Sequence, residues 1–526
     1  MYSHRFLPAL LRFVAIAGCA TAQSIPAQAA DPAPFDLPGP GLRMTVQRDG
    51  TSLPIGAVPT LSVGDTLTIR ADLPEDQSER FLLISAFLRG ATNPPPKEWI
   101  ETAETWKRKD KDKILSLKVP KGAKQLVLFL VPDTGGASDA ISNTVRARPG
   151  EFVRAAQGLN QASLDRSRLD AFMSAIQAQG NTHPEYLRTI APTLARSLSI
   201  KLNDACLDRV IQLQASCLLE NRESLVLADI HSGSIAETLS GAPTDLALQL
   251  SATREAGYGF YSPYIGVVRD VVRMFGAFSS PQFNYLPTIS LRRNDTISLQ
   301  LNAAPSFEKP KSVLVAGMPA VEADRPPQLR ASQTEPICAT HENPVLPVDG
   351  AALIYSTGFA RNMMVKVSSA TGQTVDLPVQ SRASQGGYVM SGNRAALSRF
   401  NGPAKARLHG FWGFKRFDGP EFSLQFPMKE PPRIANGQPP LVIGHDNSMG
   451  LESLAPSCVE SITLTQGQSL RLPIKWKASG DDAIAFDLPL RDAQAGELTL
   501  EVRQYGVAEP ARIVVRAEQP VAPMGI

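Results

Sequence analysis

The hydrophobic pattern of this 526-residue chain changes period twice, and those changes restrict the fold more than any single motif does. From Gly41 to Arg148 apolar and polar residues alternate: Leu67, Ile69, Ala71 and Leu73 interleave with Thr66, Thr68, Arg70 and Asp72. A period of two sends one set to each face of a half-buried strand. After Pro149 the spacing lengthens, with Leu169, Phe172, Met173 and Ile176 at i, i+3, i+4 and i+7, the stripe of an amphipathic helix. From Thr288 alternation returns in Ile297, Leu299 and Leu301. The chain is therefore expected to be multi-domain and mainly β with a central α-helical domain.

In the first block the candidate strands are Leu42 to Val46, the run at Leu67, Phe81 to Leu88, Ile114 to Val119, Leu126 to Val131 and Ile141 to Ala147. Asp49-Gly50, Asn93-Pro94-Pro95-Pro96 and residues 133–138 supply the turns between them. Six or seven strands in about 105 residues is the density of a β-sandwich. The strand entry Val63-Gly64-Asp65-Thr66-Leu67 resembles that of the immunoglobulin-like modules common in exported bacterial proteins. The likeness is one of fold and implies no active site. Similar entries recur at Ile289 to Leu299 and Leu464 to Leu472, and 43 prolines with 38 glycines favour such turn-rich modules over bundles. The expected order is a signal peptide at 1–29, a disordered linker at 30–40 and a β-sandwich at 41–149. A helical domain follows at 150–280, then a β-hairpin and linker at 281–325, and β-sandwiches at 326–430 and 431–520. Pro-rich Met318 to Pro327 is the linker part of the hairpin segment.

The first 29 residues carry Arg5 and Arg12, an apolar run Phe13 to Ala22, and Ala27-Gln28-Ala29. That is the layout of a secretory leader cut after Ala29. Ile16-Ala17-Gly18-Cys19 resembles the bacterial lipobox, which implies lipidation at Cys19 and an outer-membrane lipoprotein as the alternative. No stretch reaches 18 uninterrupted apolar residues, so no transmembrane segment is expected. The expected place is the periplasm or the medium, an oxidising setting for Cys206, Cys217, Cys338 and Cys458. Three pairings are possible, and closeness in sequence favours Cys206 with Cys217 and Cys338 with Cys458. The first bridge demands a turn between Leu207 and Gln214. If residues 204–218 were one helix, the two cysteines would stand about 16 Å apart, too far for a bridge.

Within the helical block Gly180 is expected to stop the first helix, Thr182 to cap a second and Pro184 to open it. The second carries Leu187, Ile190, Leu194 and Leu198 and should kink or break at Pro192. The segment from Gly257 to Pro287 then concentrates aromatics. Its helix, Pro263 to Phe275 with Ser262 as N-cap, is expected to dock into a core. Tyr258, Phe260, Tyr261 and Tyr264 are the candidate binding residues, for a sugar-stacking groove or a protein contact. The plainer reading seals the joint between helical and β blocks with them, and Phe411-Trp412-Gly413-Phe414 with Phe417 has the same two readings.

Few chemistries find their residues. With 53 Lys plus Arg less the two in the leader, against 50 Asp plus Glu, the mature charge is about +1. Nucleic acid is not an expected partner, since the densest basic run, Lys107 to Lys113, is broken by Asp110 and Asp112. Leu128 to Gly135 runs an apolar strand into Asp133-Thr134-Gly135 and resembles the aspartic protease signature. It departs from it in Pro132, in Gly136 and in lacking a second copy, so a turn closing a hairpin accounts for it more simply. No G-x-S-x-G elbow or C-x-x-C occurs, Ser448 lacks the helix a nucleophile elbow needs, and His183, His231, His341, His409 and His445 are scattered. No catalytic residue, metal or cofactor is assigned. The expected function is that of an exported, non-enzymatic binding or envelope-scaffold protein meeting a protein or polysaccharide of the cell envelope. The alternative is a hydrolase-type enzyme or enzyme accessory with a cleft beside Tyr258 to Tyr264.

Overall fold

A computed structural model describes residues 35–73, 79–107, 109, 113–220, 226–227, 281–350, 352–391, 394–467 and 470–520. The protein is mainly β. Seven strands precede the helices: β1 (Leu37–Arg48), β2 (Thr51–Pro54), β3 (Thr66–Asp72), β4 (Phe81–Leu88), β5 (Ile100–Glu104), β6 (Ile114–Lys118) and β7 (Gln125–Pro132). Three more follow them: β8 (Phe283–Arg293), β9 (Thr296–Leu301) and β10 (Lys311–Ala320).

All ten belong to one sheet, ordered β5-β4-β7-β10-β8-β9-β1-β3-β6 with β2 beside β1. The expected hairpin in 281–325 forms, β8 pairing antiparallel with β9 from Thr288–Leu301 to Arg293–Thr296, but it is part of this sheet and not a unit apart from it. β10 pairs antiparallel with β7 and parallel with β8, and β9 pairs with β1, so the returning strands fill the centre of the sheet. The order follows from burial. On β4, Phe81, Leu83 and Phe87 join Leu126, Leu128 and Leu130 of β7 in a core shared with Leu42, Met44 and Val46 of β1, so the sheet folds back on itself. The intervening Leu82, Ile84, Ala86 and Leu88 face the other way, with Val127, Phe129 and Val131, onto helices. Strands covered on both faces favour apolar residues at nearly every position, which is why β4 and β7 are apolar apart from buried Ser85 and Gln125.

Between β7 and β8 the described helices are α1 (Ala137–Ala147), α2 (Pro149–Thr182), α3 (Leu187–Ser197) and α4 (Ile211–Glu220). α1 replaces the expected strand at Ile141 to Ala147. Ala137, Ile141 and Val145, four residues apart, form one buried stripe against the sheet, and that spacing overrides the β-branched composition. Nor does α2 stop at Gly180. A Cβ there would stand 2.6 Å from that of Ala215, so this glycine admits α4 against α2 rather than ending a helix. Thr182 is the last residue of α2, Pro184–Tyr186 is a short 3-10 turn, and α3 runs through Pro192 without a break. Arg168, almost fully buried, closes the far end of α3 by donating from Nε to the Leu198 carbonyl (2.9 Å) and from Nη2 to that of Ser199 (2.9 Å). Phe35 is buried in the same helical core beside Phe172 and Ile289, and Asp36 pairs with Arg166 at 2.6 Å.

The second β unit comprises β11 (Arg330–Ala331), β12 (Ile337–Cys338), β13 (Val345–Asp349), β14 (Ala360–Ser369), β15 (Thr374–Arg382), β16 (Gly387–Met390), β17 (Gly402–Trp412) and β18 (Lys415–Phe426). Their order is β11-β13-β16-β15-β14-β17-β18-β12 around one core. The last unit is a sandwich of two sheets. One holds β19 (Arg433–Ile434), β21 (Asp446–Glu452), β25 (Ala483–Pro489) and β24 (Trp476–Ala478); the other holds β20 (Leu441–Val442), β27 (Ala511–Glu518), β26 (Gly496–Gln504), β22 (Val459–Gln466) and β23 (Leu470–Ile474). Leu451, Ile484 and Leu488 of the first sheet meet Leu464, Leu498 and Leu500 of the second in a core of their own.

Candidate functional site

In the second β unit β15 changes partners partway along. Its first half pairs with β14 as far as Met364 opposite Pro378, and from Val379 it pairs with β16 instead. Pro378 sits at the change and has no N–H to give to a ladder. Across from it the β14–β17 register shifts between Arg361 and Met364, where Asn362 takes a left-handed φ of 47°. The two irregularities part β14 from β15, and a pocket of about 370 Å³ opens at this corner.

Ala360, Met363 and Val379 give the pocket its apolar walls, Asn362, Gln380 and Ser381 its polar rim, and Tyr388 its buried element. Tyr388 is 1% exposed and its hydroxyl has no hydrogen-bond partner. Burial pushes this phenol up from its ordinary pKa, so it stays protonated and able to donate. Neighbouring Tyr355 is raised as well, by burial first and then by Tyr388 and Asp349, with Ser197 of α3 working the other way. The lining holds no carboxylate, imidazole, amine or thiol. It offers hydrogen bonds, but no acid, base or activated nucleophile for bond-breaking chemistry.

The sequence-based candidates fare unevenly. Tyr258, Phe260, Tyr261 and Tyr264 lie outside the described residues, as do the helix Pro263 to Phe275, His231, Cys19 and the leader. Both disulfides form as paired, with Cα separations of 5.5 Å for Cys206–Cys217 and 4.9 Å for Cys338–Cys458. The chain turns between the first two cysteines without glycine or proline, because buried Gln214 donates from Nε2 to the Leu207 and Arg209 carbonyls at 2.9 and 3.0 Å. Asp133 of the D-T-G sequence accepts the Gly135 N–H at 3.1 Å in a turn from β7 into α1, which corrects the expected hairpin closure. His183 stands by Glu185, His409 by Asp376 and His341 against the Tyr505 ring, far apart in the fold. Among the described residues no group of three His, Cys, Asp or Glu could hold a metal ion.

Of the second aromatic cluster, Trp412 and Phe417 are buried in the core of the second β unit and Phe411 is exposed, while Phe414 makes a joint to the first β unit. Phe414, at the β17–β18 turn, lies 4.4 Å from the guanidinium of Arg48 on β1. Arg48 is forked onto Asp65 at 2.7 and 2.9 Å and reaches Asp324 at 2.7 Å. Burial alone pulls that guanidinium down, but Asp65 and Asp324 more than offset it and hold it above its usual value. Thr60 donates its hydroxyl to Asp324. Gly413 in the same turn has a φ of 59°, and a Cβ there would stand 2.6 Å from Pro59. Asp324 is only 6% exposed, so the expected linker at Met318 to Pro327 is clamped, not loose. A second joint surrounds Cys338–Cys458, where Gln425 accepts from the Ser457 N–H (3.0 Å) and hydroxyl (2.7 Å) and donates to the Asp481 carbonyl (2.8 Å).

No helix among the described residues is long and apolar enough to cross a membrane. No family model matches the chain, and no curated protein matches it either. Among solved structures it is similar to the titin Ig tandem domains A164-A165, at 12% identity over 37% of this chain and 96% of that one, with a TM-score of 0.15. It is also similar to a chain described under "Structural basis for Dscam isoform specificity", at 9% identity over 38% of this chain and 54% of that one, TM-score 0.20. A third is the endo-beta-1,4-mannanase from Thermotoga petrophila, at 10% identity over 21% of this chain and 28% of that one, TM-score 0.14. The last two likenesses span about half and under a third of those chains, and at such TM-scores none of the three bears on function.

Proposed function

We propose that this is an exported, non-enzymatic binding or envelope-scaffold protein, built of β-sandwich modules of immunoglobulin-like kind around a helical unit, whose partner is a protein of the cell envelope. The observation that carries the reading is the corner pocket at Tyr388: apolar walls, neutral hydrogen-bonding groups and no acid–base pair suit holding a partner rather than transforming it. Export is supported by the leader pattern in residues 1–29 and by two disulfides, which persist in oxidising compartments.

The test is site-specific photocrosslinking in the envelope. The full chain, with its own leader and a photoreactive phenylalanine analogue at Gln380, is expressed in a Gram-negative host. The mature protein should begin at Ala30, carry both disulfides and give a discrete adduct on irradiation, while the same analogue at exposed Thr371 should give none. A chain retained in the cytoplasm, or equal adducts from both positions, would overturn the reading.

A further inference from the structure

The last sandwich keeps one strand edge open, and the register of its strands shows which groups stand free there. Along β27 the pairing with β26 runs without a shift from Gly496 opposite Ala517 to Val502 opposite Ala511. On its other side β27 meets only β20, whose Leu441 and Val442 lie beside Ala517 and Glu518. The Ile443 N–H donates to the Glu518 carbonyl at 3.0 Å, so the main-chain groups of Glu518 face β20. Alternate residues of a regular strand turn those groups to opposite neighbours. Val515 and Ile513 therefore serve β26, while Val514 and Arg512 point outward beyond the end of β20, where no strand takes up their N–H and C=O groups. Among the described residues no turn or loop backbone bonds them either.

The side chains of this edge are as open as its backbone. Arg512, Val514 and Arg516 are exposed on the outer face of the sheet, Val514 at 59%, whereas Val515 and Ala517 turn into the core. Natural sheets blunt their edges with proline, bulges or very short strands. The other edges of this sandwich do so: β23 carries Pro473, β24 has three residues and β19 two. β27 has neither proline nor bulge, and an apolar side chain stands in the middle of its open stretch between two arginines.

We infer that this edge binds an extended, acidic segment of a partner protein, added to the sheet as an antiparallel strand along Arg512 to Arg516. The inference goes beyond the corner pocket and does not depend on it. Arg512 and Val514 would exchange main-chain hydrogen bonds with the segment, the mode in which an exposed sheet edge captures a strand. The segment residue opposite Val514 shares its face, and the residues two before and two after it lie across from Arg516 and Arg512. Opposite charges in such cross-strand pairs stabilise and like charges destabilise, so acidic residues four apart with an apolar one midway fit this edge. The glutamates of the sheet stand one strand further in: Glu501 takes a bond from Arg512 Nε at 3.2 Å, and Glu497 lies opposite Arg516. A second copy of the chain fits poorly, because two such edges paired about Val514 would set Arg512 of each against Arg516 of the other.

The test uses the full mature chain and a fluorescein-labelled, end-blocked ten-residue peptide with Glu at its third and seventh positions, Val at its fifth and Thr elsewhere, read by anisotropy. Binding should saturate, slow hydrogen exchange at the Arg512 and Val514 amides, and weaken about tenfold when Lys replaces both Glu. Val514→Pro removes an outward N–H and no ladder bond, so this variant should fold and bind at least about tenfold more weakly. Circular dichroism checks the fold. If Val514→Pro is unfolded, the double variant Arg512→Glu, Arg516→Glu takes its place and should prefer the Lys peptide. Binding that survives a folded Val514→Pro, equal binding of the two peptides, or protection confined to other strands overturns the inference. So does a dimer in sedimentation that Val514→Pro dissolves, which would make a second copy the occupant. Absence of saturable binding overturns it as well and leaves the corner reading to its own test.

Discussion

Removing the carboxylate of Asp324 should destabilise the first β unit far more than removing any surface carboxylate. In the Asp324→Ala variant Arg48 keeps Asp65, whose side chain is 1% exposed, but loses its 2.7 Å bond to Asp324, 4% exposed. Breaking a buried ion pair from one side costs about 3–5 kcal/mol, and the remaining fork onto Asp65 places this case at the low end. The Thr60 hydroxyl loses its acceptor as well, for about 1 kcal/mol more. The sum is about 4 kcal/mol, which for a unit of this size lowers the melting temperature by about 8–16 °C. Scanning calorimetry measures it, with hydrogen exchange on β1 and β3 assigning the transition, because a chain of several units need not melt in one step. The control is Asp72→Ala, which breaks the Arg43–Asp72 pair at 3.1 Å between side chains 49% and 43% exposed and should cost under about 1 kcal/mol. A loss below about 1 kcal/mol for Asp324→Ala, or one equal to that of the control, would refute the account of the joint.

Alkaline stability depends on the two buried phenols. Burial leads the upward shift of both Tyr355 and Tyr388, so the folded chain holds protons that the unfolded chain releases near pH 10. Their contribution is whole below about pH 10 and is lost as pH rises toward the folded values; urea unfolding at about pH 9 to 11 should show the fall, with a shallower slope in Tyr388→Phe. An unchanged slope would place the fall elsewhere. The double variant Cys338→Ala, Cys458→Ala opens a loop of 120 residues in sequence separation. The chain-entropy estimate for it is about 4–5 kcal/mol. Because the last sandwich has a core of its own, it should still fold, and limited proteolysis should gain a cut between Phe426 and Arg433. An unchanged digestion pattern would mean that Gln425 and its partners hold the joint without the bridge.

Elements governed by local pattern are readable from the chain alone, and those governed by long-range pairing are not. Phe81 to Leu88 and Leu126 to Val131 announce themselves as strands because burial on both faces leaves Ser85 as the one polar position in the two runs. That β8 to β10 enter the same sheet after the helical segment is a matter of which edges meet, and alternation carries no record of it. The bridge between Cys206 and Cys217 can be argued from spacing, but the side chain that shapes its turn, Gln214, is an ordinary polar residue until the Leu207 and Arg209 carbonyls stand beside it. α1 was open to misreading because Ile141, Thr144 and Val145 favour strands, while the decisive fact is that Ala137, Ile141 and Val145 share a face. Tyr388 left no trace of a role. Leu377-Pro378-Val379, a proline inside an alternating run, was the one local signal at the corner, and it marks a place where strand pairing must give way.

Units joined within one chain commonly shift against each other, since their interfaces resemble transient ones. Both joints here work against such motion. At the first, a half-buried arginine is held by two buried carboxylates, roofed by Phe414 and flanked by Gly413, whose neighbours leave no room for a side chain. At the second, a covalent bridge is backed by Gln425, which spends both ends of its amide across the interface. Rigidity at the first joint bears on the corner pocket, because Arg361 of β14 donates to the Gly413 carbonyl at 2.8 and 3.2 Å and its chain neighbours Ala360 and Asn362 line the pocket. A partner seated there would meet walls already fixed in place, so little ordering would be needed on this side of the contact.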